Sequence, residues 1–410
     1  MLGVGMDEKW KHEMFFQSLH NFADEIYSQN LAPREVKIFD LSLDENGEGM
    51  AGAYLTEGEK IEIAETLDSA GIQRIGLLGF PEPVARAEVD VAKKIAQMGF
   101  NAEMWSLAST YEDVQRAIDC GLKGTVIRCK FSDLYTAVIE PVEKRIEDFV
   151  KLAKIAGDNA LKVGIMAQDI TRTDLLQMDR MLNDINSEVK LDEICLADSQ
   201  GIGNPLIIRY LVSHVKKIIN VPIQVHCHNH VGLGTANACS AVTAGAEVVH
   251  TTVNGYGHFA GLSAMEEVAV ALKVAFNVDI KIDFSKLYAL SKKLQEFTGI
   301  YVQPHKAIVG EQAFSRSEEI KHINELVERE KNNDLKGFYP FLPEFVGQQA
   351  RVVMAEKVTL DAVMWNLKKH GVKISNENIP LLFEKVKDWI TENRRAITDD
   401  TFEELAMKYS

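Results

Sequence analysis

The chain has 410 residues, 46% hydrophobic and 26% charged, with 45 Lys+Arg against 60 Asp+Glu and a formal net charge of −15. That acidic balance argues against nucleic acid or an anionic membrane as a partner, and no run approaches the ~20 apolar residues of a membrane span. Five scattered cysteines (Cys120, Cys129, Cys195, Cys227 and Cys239) form no CxxC pair, and MLGVGMDEKWKHEM lacks the apolar core of a secretory signal, so reduced thiols in a cytoplasmic protein are expected.

Residues 1–35 read as an amphipathic helical extension. A rhythm then begins. VKIFDLSL reads as a strand, being short, apolar and rich in β-branched residues, and TEGEKIEIAETLDSAG as a helix. Thr56 is placed to cap that helix with Glu59 as its capping-box partner, and Gly71 stops it. The alternation repeats through RIGLLGF, AEMWSL, GTVIRCKF, KVGIMAQD, EICLADS, PIQVHCHN and EVVHTTVNG, each followed by a helical segment. Alternating strands and helices demand a parallel sheet, and eight pairs in about 240 residues predict a closed (β/α)8 TIM barrel over 36–282. An open doubly wound sheet fits less well, because DENGEGMAGAYL lacks the GxGxxG fingerprint. SKLYALSKKLQEFTG, SRSEEIKHINELVEREKN, VTLDAVMWNLKKHG, NENIPLLFEKVKDWITENRR and DDTFEELAMKY then predict a helical C-terminal region over 283–410.

The chemistry of such a barrel sits at the C-terminal ends of its strands. Those ends carry Asp40, Asp44 and Glu45; Arg128, Lys130 and Asp133; Gln168, Asp169 and Arg172; Asp198 and Ser199; His226, His228 and His230; and Thr251 and Asn254. Side chains alternate along a strand, so His226 and His228 share a face. Two imidazoles side by side, with a carboxylate across the barrel, make a divalent metal site, which Zn, Mn, Mg, Co or Fe would suit. The competing reading is a pair of structural strand-end histidines. The Gly-rich loop Gly255–Gly261 reads as a pocket wall or a plain turn, and the aromatic string Phe338–Phe341 as packing.

VHCHNHVGLGTANACSAVTAGAEVVHTTVNGYGHFAGLSAMEEV resembles the signature of the DRE-TIM metallolyases, that is, the isopropylmalate, homocitrate and citramalate synthases with the 3-hydroxy-3-methylglutaryl-CoA lyases as relatives. QDITRTD resembles their E-D-x-x-R-T-D segment and CLADSQG their D-T-x-G segment. TGIYVQPHKAIVGEQAF resembles a stretch of the synthase branch. The resemblance implies a metal held by His226, His228 and a strand-1 carboxylate (Glu45, or Asp44 with a one-residue shift). It also implies acetyl-CoA or another acyl-CoA as co-substrate, a small-molecule acceptor, and a homodimer whose C-terminal region covers the partner's barrel mouth.

The departures are as informative. The family's D-T-T-L-R-D-G-E reads Asp40-Leu41-Ser42-Leu43-Asp44-Glu45-Asn46-Gly47-Glu48, so its Arg becomes Asp44. Its strand-5 Glu is Gln168, its D-T-x-G Thr is Ser199, and the Asn closing A-G-N is Leu262. Its H-E-S-G-I-H reads Arg316-Ser317-Glu318-Glu319-Ile320-Lys321, with His322 one residue away. A carboxylate about 4 Å from a substrate carboxylate opposes it by about 4 kcal/mol at an effective dielectric near 20. Asp44 is therefore expected to shift acceptor choice, with Arg128 or Arg172 supplying a cation from another wall. Gln168, Arg128, Lys321 and His322 are the expected catalytic residues, and Asp44, Arg172, Ser199 and Asn254 the expected substrate contacts. His230, His250, His258, Lys130 and Lys321 are the available bases. A divergent carbon–carbon bond-forming or -cleaving enzyme is the favoured reading. A metal enzyme of another reaction type, and a lapsed homologue that only binds, stand as alternatives.

Overall fold

Eight parallel strands close on themselves in the computed structural model of the chain, which describes residues 30–44, 53–79, 86–135, 140–332, 334–335 and 338–410. They are β1 (Lys37–Asp40), β2 (Arg74–Leu78), β3 (Glu103–Ala108), β4 (Gly124–Lys130), β5 (Lys162–Gln168), β6 (Glu193–Asp198), β7 (Ile223–Cys227) and β8 (Val248–Thr251). The ring closes where β1 pairs with β8 as well as β2, with Phe39 opposite His250. Helices α1 (Glu57–Ser69), α2 (Arg86–Ala96), α3 (Tyr111–Cys120), α4 (Val142–Asp158), α5 (Leu175–Glu188), α6 (Pro205–Val215), α7 (Gly234–Thr243) and α8 (Met265–Val274) follow the strands in turn. The expected (β/α)8 TIM barrel is present. The expected N-terminal extension lies outside the described residues, apart from 30–35.

Local chemistry explains the boundaries. Thr56 caps α1, accepting from the Glu59 amide, while the Glu59 carboxylate accepts from the Thr56 amide at 2.7 Å. Asp174 and Asn204 cap α5 and α6 with their own side chains, each accepting from two first-turn amides.

The barrel interior is built in layers by alternation. Phe39, Trp105, Leu107, Val126, Met166 and Cys195 form its apolar middle. Its floor is ionic, drawn from the first residues of four strands. Arg74 donates to both oxygens of Glu193 at 2.6 and 2.7 Å and to Glu103 at 3.0 Å, with its guanidinium 4.4 Å from the Trp105 ring centre. Lys162 closes the group on Glu103 at 3.1 Å. All five cysteines are buried free thiols.

The described residues divide into two compact units, with the chain passing from one to the other after Val302. Helix α9 (Leu287–Thr298), expected in the C-terminal region, belongs with the barrel. Its Ser291 hydroxyl donates to Asn254, and its Lys293 reaches Glu62 at 2.6 Å. The second unit is helical, with α10 (Ile320–Lys331), α11 (Leu360–Lys369), α12 (Ile379–Asn393) and α13 (Asp399–Met407). Helix α10 starts later than its sequence pattern implies, because Ser315–Arg316 pairs as a short strand with Arg351–Val352. The Arg316 guanidinium lies 4.3 Å over Phe338 and 5.3 Å over Tyr339, so the aromatic string is packing here.

Candidate active site

Strand β7 exposes one face to the barrel interior, and Gln224, His226 and His228 lie along it in order toward the mouth. The strand end is pinned from two sides. The His228 backbone bridges to Leu262, and its amide donates to the Asp198 carbonyl at 3.3 Å. Gly201 presses against the same turn with φ +60, and a Cβ there would lie 2.7 Å from the His230 amide nitrogen. Only glycine serves both demands.

The outcome is a pair of imidazoles whose Nε2 atoms are 3.3 Å apart. Two nitrogens bound at 2.0–2.1 Å to one tetrahedral ion are separated by about 3.3–3.4 Å, so the pair fits a shared metal. Behind them, His226 Nδ1 lies 3.2 Å from His250 Nδ1, and His250 Nε2 lies 2.6 Å from Gln224 Oε1. The Gln224 amide donates to Glu193 in the ionic floor. Burial, reinforced by the neighbouring imidazoles, holds His226 well below the usual histidine range. Burial with the Arg74 and Arg128 charges takes His250 down to about 3. Both rings are therefore neutral, the form a metal requires.

The pair opens on a cavity of about 230 Å3. Arg128, Gln168, Ser199 and His258 make its polar wall, and Leu107, Tyr135, Met166 and Phe259 its apolar one. The Arg128 guanidinium donates to the Gly79 carbonyl at 2.8 Å, which holds it across the mouth. The Ser199 hydroxyl accepts from the Asp169 amide at 2.9 Å. Phe259 adopts φ +57, costly for an aromatic residue. It remains 68% exposed, with ring centres 5.8 Å from His228 and 5.0 Å from His230.

A family model described as HMGL-like matches residues 35–294. Homocitrate synthase AksA of Methanosarcina acetivorans is 34% identical over 91% of this chain and 90% of its own. 2-Isopropylmalate synthase of Methanocaldococcus jannaschii is 33% identical over 92% and 73%, and (R)-citramalate synthase CimA of that organism 32% over 86% and 71%. The chain belongs to the HMGL-like family. With such relatives along most of its length it is an enzyme of the DRE-TIM metallolyase superfamily. The fold agrees: hydroxymethylglutaryl-CoA lyase from Pseudomonas aeruginosa superposes with a TM-score of 0.59, at 18% identity over 66% of this chain and 95% of that one.

Within this family member, the barrel gathers His226, His228, Arg128, Gln168 and Ser199 into one cavity. Glu45 lies outside the described residues. Among those described, no cluster of three His, Cys, Asp or Glu side chains could hold an ion. Three expected substrate contacts are not among the side chains lining this cavity. Asp44 lies against Gly79, whose carbonyl accepts from Arg128, and a Cβ on Gly79 would lie 1.5 Å from its Oδ1. Arg172 clamps Asp169, Nε to Oδ1 at 2.9 Å and Nη2 to Oδ2 at 2.7 Å, and does not line the cavity. Asn254 takes φ +64, a turn conformation that suits Asn, and its amide nitrogen donates to the Ser291 carbonyl at 3.3 Å, so it anchors α9.

Lys130 pairs with Glu140 at 3.7 Å, and Asp133 with Arg145. Lys321 and His322 belong to the C-terminal unit, where Lys321 is exposed and His322 half-buried in α10. Sequence reasoning missed Tyr135, Leu107 and Met166 as walls. It also missed Gln224 as a partner of the histidines, although Gln224 shares their face two residues before His226.

Proposed function

We propose that this chain is a divalent-metal-dependent enzyme joining, or parting, an acyl-CoA and a carbonyl acceptor at a carbon–carbon bond, with an acceptor specificity of its own. The observation that carries the reading is the 3.3 Å approach of the His226 and His228 Nε2 atoms at the base of a cavity walled by Arg128. When bound there, a metal would supply Lewis-acid polarisation of a carbonyl. Glu45, five residues after β1 in the sequence, is the proposed carboxylate ligand.

The chain's own residues divide the remaining tasks. Arg128 meets the acceptor's anionic group, the role the family gives to the residue replaced by Asp44. Gln168 orients substrate by its amide but, unlike a Glu, accepts no proton. His258, on the cavity wall, takes the proton from the acyl-CoA methyl group. The Ser199 hydroxyl, already accepting from the Asp169 amide, keeps its own O–H for substrate. We also propose a homodimer, with Lys321 and His322 of the C-terminal region delivered to the partner's site. Light scattering at micromolar concentration tests this, and a monomer defeats it.

The deciding experiment is steady-state thiol release from acetyl-CoA, with metal-reconstituted enzyme and a panel of 2-oxo acids and aldehydes. Release that requires both metal and acceptor, and that falls ~100-fold or more in Arg128→Met, is the expected result, because a charge-assisted contact to the acceptor is lost. Absence of release with every acceptor, at metal saturation, would sink the proposal.

A further inference from the structure

The histidine pair is the top of a longer hydrogen-bonded column that runs the length of the barrel. From floor to mouth it passes Arg74, Glu193, Gln224, His250, His226 and His228. Every member is nine-tenths or more buried, with Gln224 and His250 fully enclosed. What matters is that each one fixes the next.

The direction is set at the floor. Arg74 donates to both Glu193 oxygens, so Glu193 is a carboxylate and can only accept. The group of Gln224 facing Glu193 must therefore be its NH2, which leaves the amide oxygen facing His250. An amide oxygen only accepts, so His250 Nε2 carries its hydrogen. His250 is fully enclosed, with the Phe39 ring, the His226 ring and the neutral Gln224 amide around it, a setting that disfavours a second ring proton. Its Nδ1 is then bare, and the ring nitrogen 3.2 Å away, His226 Nδ1, must be the donor. A neutral His226 with its hydrogen on Nδ1 has its lone pair on Nε2, the atom that faces His228.

We propose that Arg74, Glu193, Gln224 and His250 form a tautomer relay, an array of positioning residues that fixes His226 as the Nδ1–H tautomer and so presents Nε2 as a ready ligand. The relay rests on the reading of His226 as a metal ligand. It differs from the common arrangement, in which a carboxylate or main-chain carbonyl orients the imidazole directly. Here the carboxylate is two residues removed, and a neutral amide and a neutral imidazole carry its polarity upward. Without that bias a buried imidazole would divide between tautomers, and the Nε2–H form has no lone pair on Nε2 to offer a metal.

The test begins with the metal-free wild-type chain labelled with 15N-histidine. The relay requires a pyrrole-type Nδ1 and a pyridine-type Nε2 for His226, assigned by comparison with His226→Gln. It requires the reverse pattern for His250, assigned with His250→Asn. His226 observed as Nε2–H overturns the proposal without any variant needing to fold. Metal affinity by competition with a chelating dye supplies the second readout. His250→Leu removes the acceptor and should weaken binding by roughly 10–100-fold, the usual cost of losing an orienting partner. His250→Asn, whose amide oxygen can accept from Nδ1–H, should recover most of that loss. Equal affinity of His250→Leu and wild type overturns the relay. If wild type binds no metal, the proposed function fails, and the tautomer spectrum alone decides the relay.

Discussion

The two ends of the same barrel handle polarity in opposite ways. At the floor, Arg74, Glu193, Glu103 and Lys162 satisfy one another, and Trp105 covers the guanidinium, so the charges are matched inside the protein. At the mouth, the Nε2 atoms of two imidazoles approach to 3.3 Å, and Arg128 donates to the Gly79 main-chain carbonyl. Matched charges close a structure. Two ring nitrogens at that spacing suit a shared metal instead. Both ends come from the same pattern, polar residues at inward positions of β-strands, so the pattern alone does not separate a plug from a site. The difference lies in whether the partners are all supplied by neighbouring strands.

The largest expected effect tests the mouth. His226→Ala/His228→Ala should lower metal affinity by more than about 100-fold, exceeding the loss from any orienting residue, while the thermal midpoint of the metal-free chain changes little. Calorimetric metal titration of the chelator-stripped protein is the measurement. Wild-type affinity in the double variant would place the metal elsewhere.

Next comes the floor. Arg74→Met leaves the Glu193 carboxylate buried without its cation, and breaking a buried pair from one side costs about 3–5 kcal/mol. A denaturant midpoint read at unchanged m-value should show that loss. Arg128→Met, at the mouth, should cost under about 1 kcal/mol of stability and act on turnover instead. If the two arginines trade places in this comparison, with stability lost at 128 and activity at 74, the division between plug and site is wrong.

How much of this was legible beforehand follows from the same physics. The barrel was, because strand and helix periods alternate eight times and caps such as Thr56 with Glu59 mark the joints locally. The histidine pair was, because i and i+2 on a strand share a face whatever the tertiary structure. The walls of the cavity were not: Leu107, Tyr135 and Met166 lie on or just after three different strands, and only closure of the ring unites them. The floor left a faint trace, in that β2, β3, β5 and β6 each begin with a charged residue and the signs are mixed. Three of the expected contacts have local partners of their own. Arg172 is claimed by Asp169 three residues earlier, Asn254 by a left-handed turn, and Asp44 by the vacancy beside a residue without a Cβ.

The column joining the two ends makes the metal-free chain acid-sensitive. His250 titrates near 3 in the folded state, mainly through burial, against 6.5 for the free side chain. As pH falls, the unfolded chain takes up this proton first. The stability associated with a neutral His250 is thus complete above about pH 6.5 and drains away as pH falls toward 3, amounting to about 2 kcal/mol by pH 5. His250→Asn has no such proton to take up and should lose about that much less stability than wild type between pH 7 and pH 5. Parallel stability–pH curves for the two proteins would show that His250 is charged in the fold, and the column would then have the wrong polarity.

The smallest effect concerns Phe259, where the mouth departs furthest from the floor's economy. Its backbone holds φ +57 while its ring stays 68% exposed beside His228 and His230. A left-handed conformation costs a non-glycine residue about 1–2 kcal/mol, and an exposed ring recovers little of that by burial. Strain kept without packing gain belongs with function rather than folding. Phe259→Gly should therefore stabilise the chain by up to about 1 kcal/mol, the relief being partly offset by the greater freedom of glycine in the unfolded state. It should also widen the range of acceptors that support thiol release, since an aromatic wall of the cavity is gone. A variant that is less stable than wild type would mean that the ring packs the mouth as the floor is packed, and the contrast between the two ends would not extend to this loop.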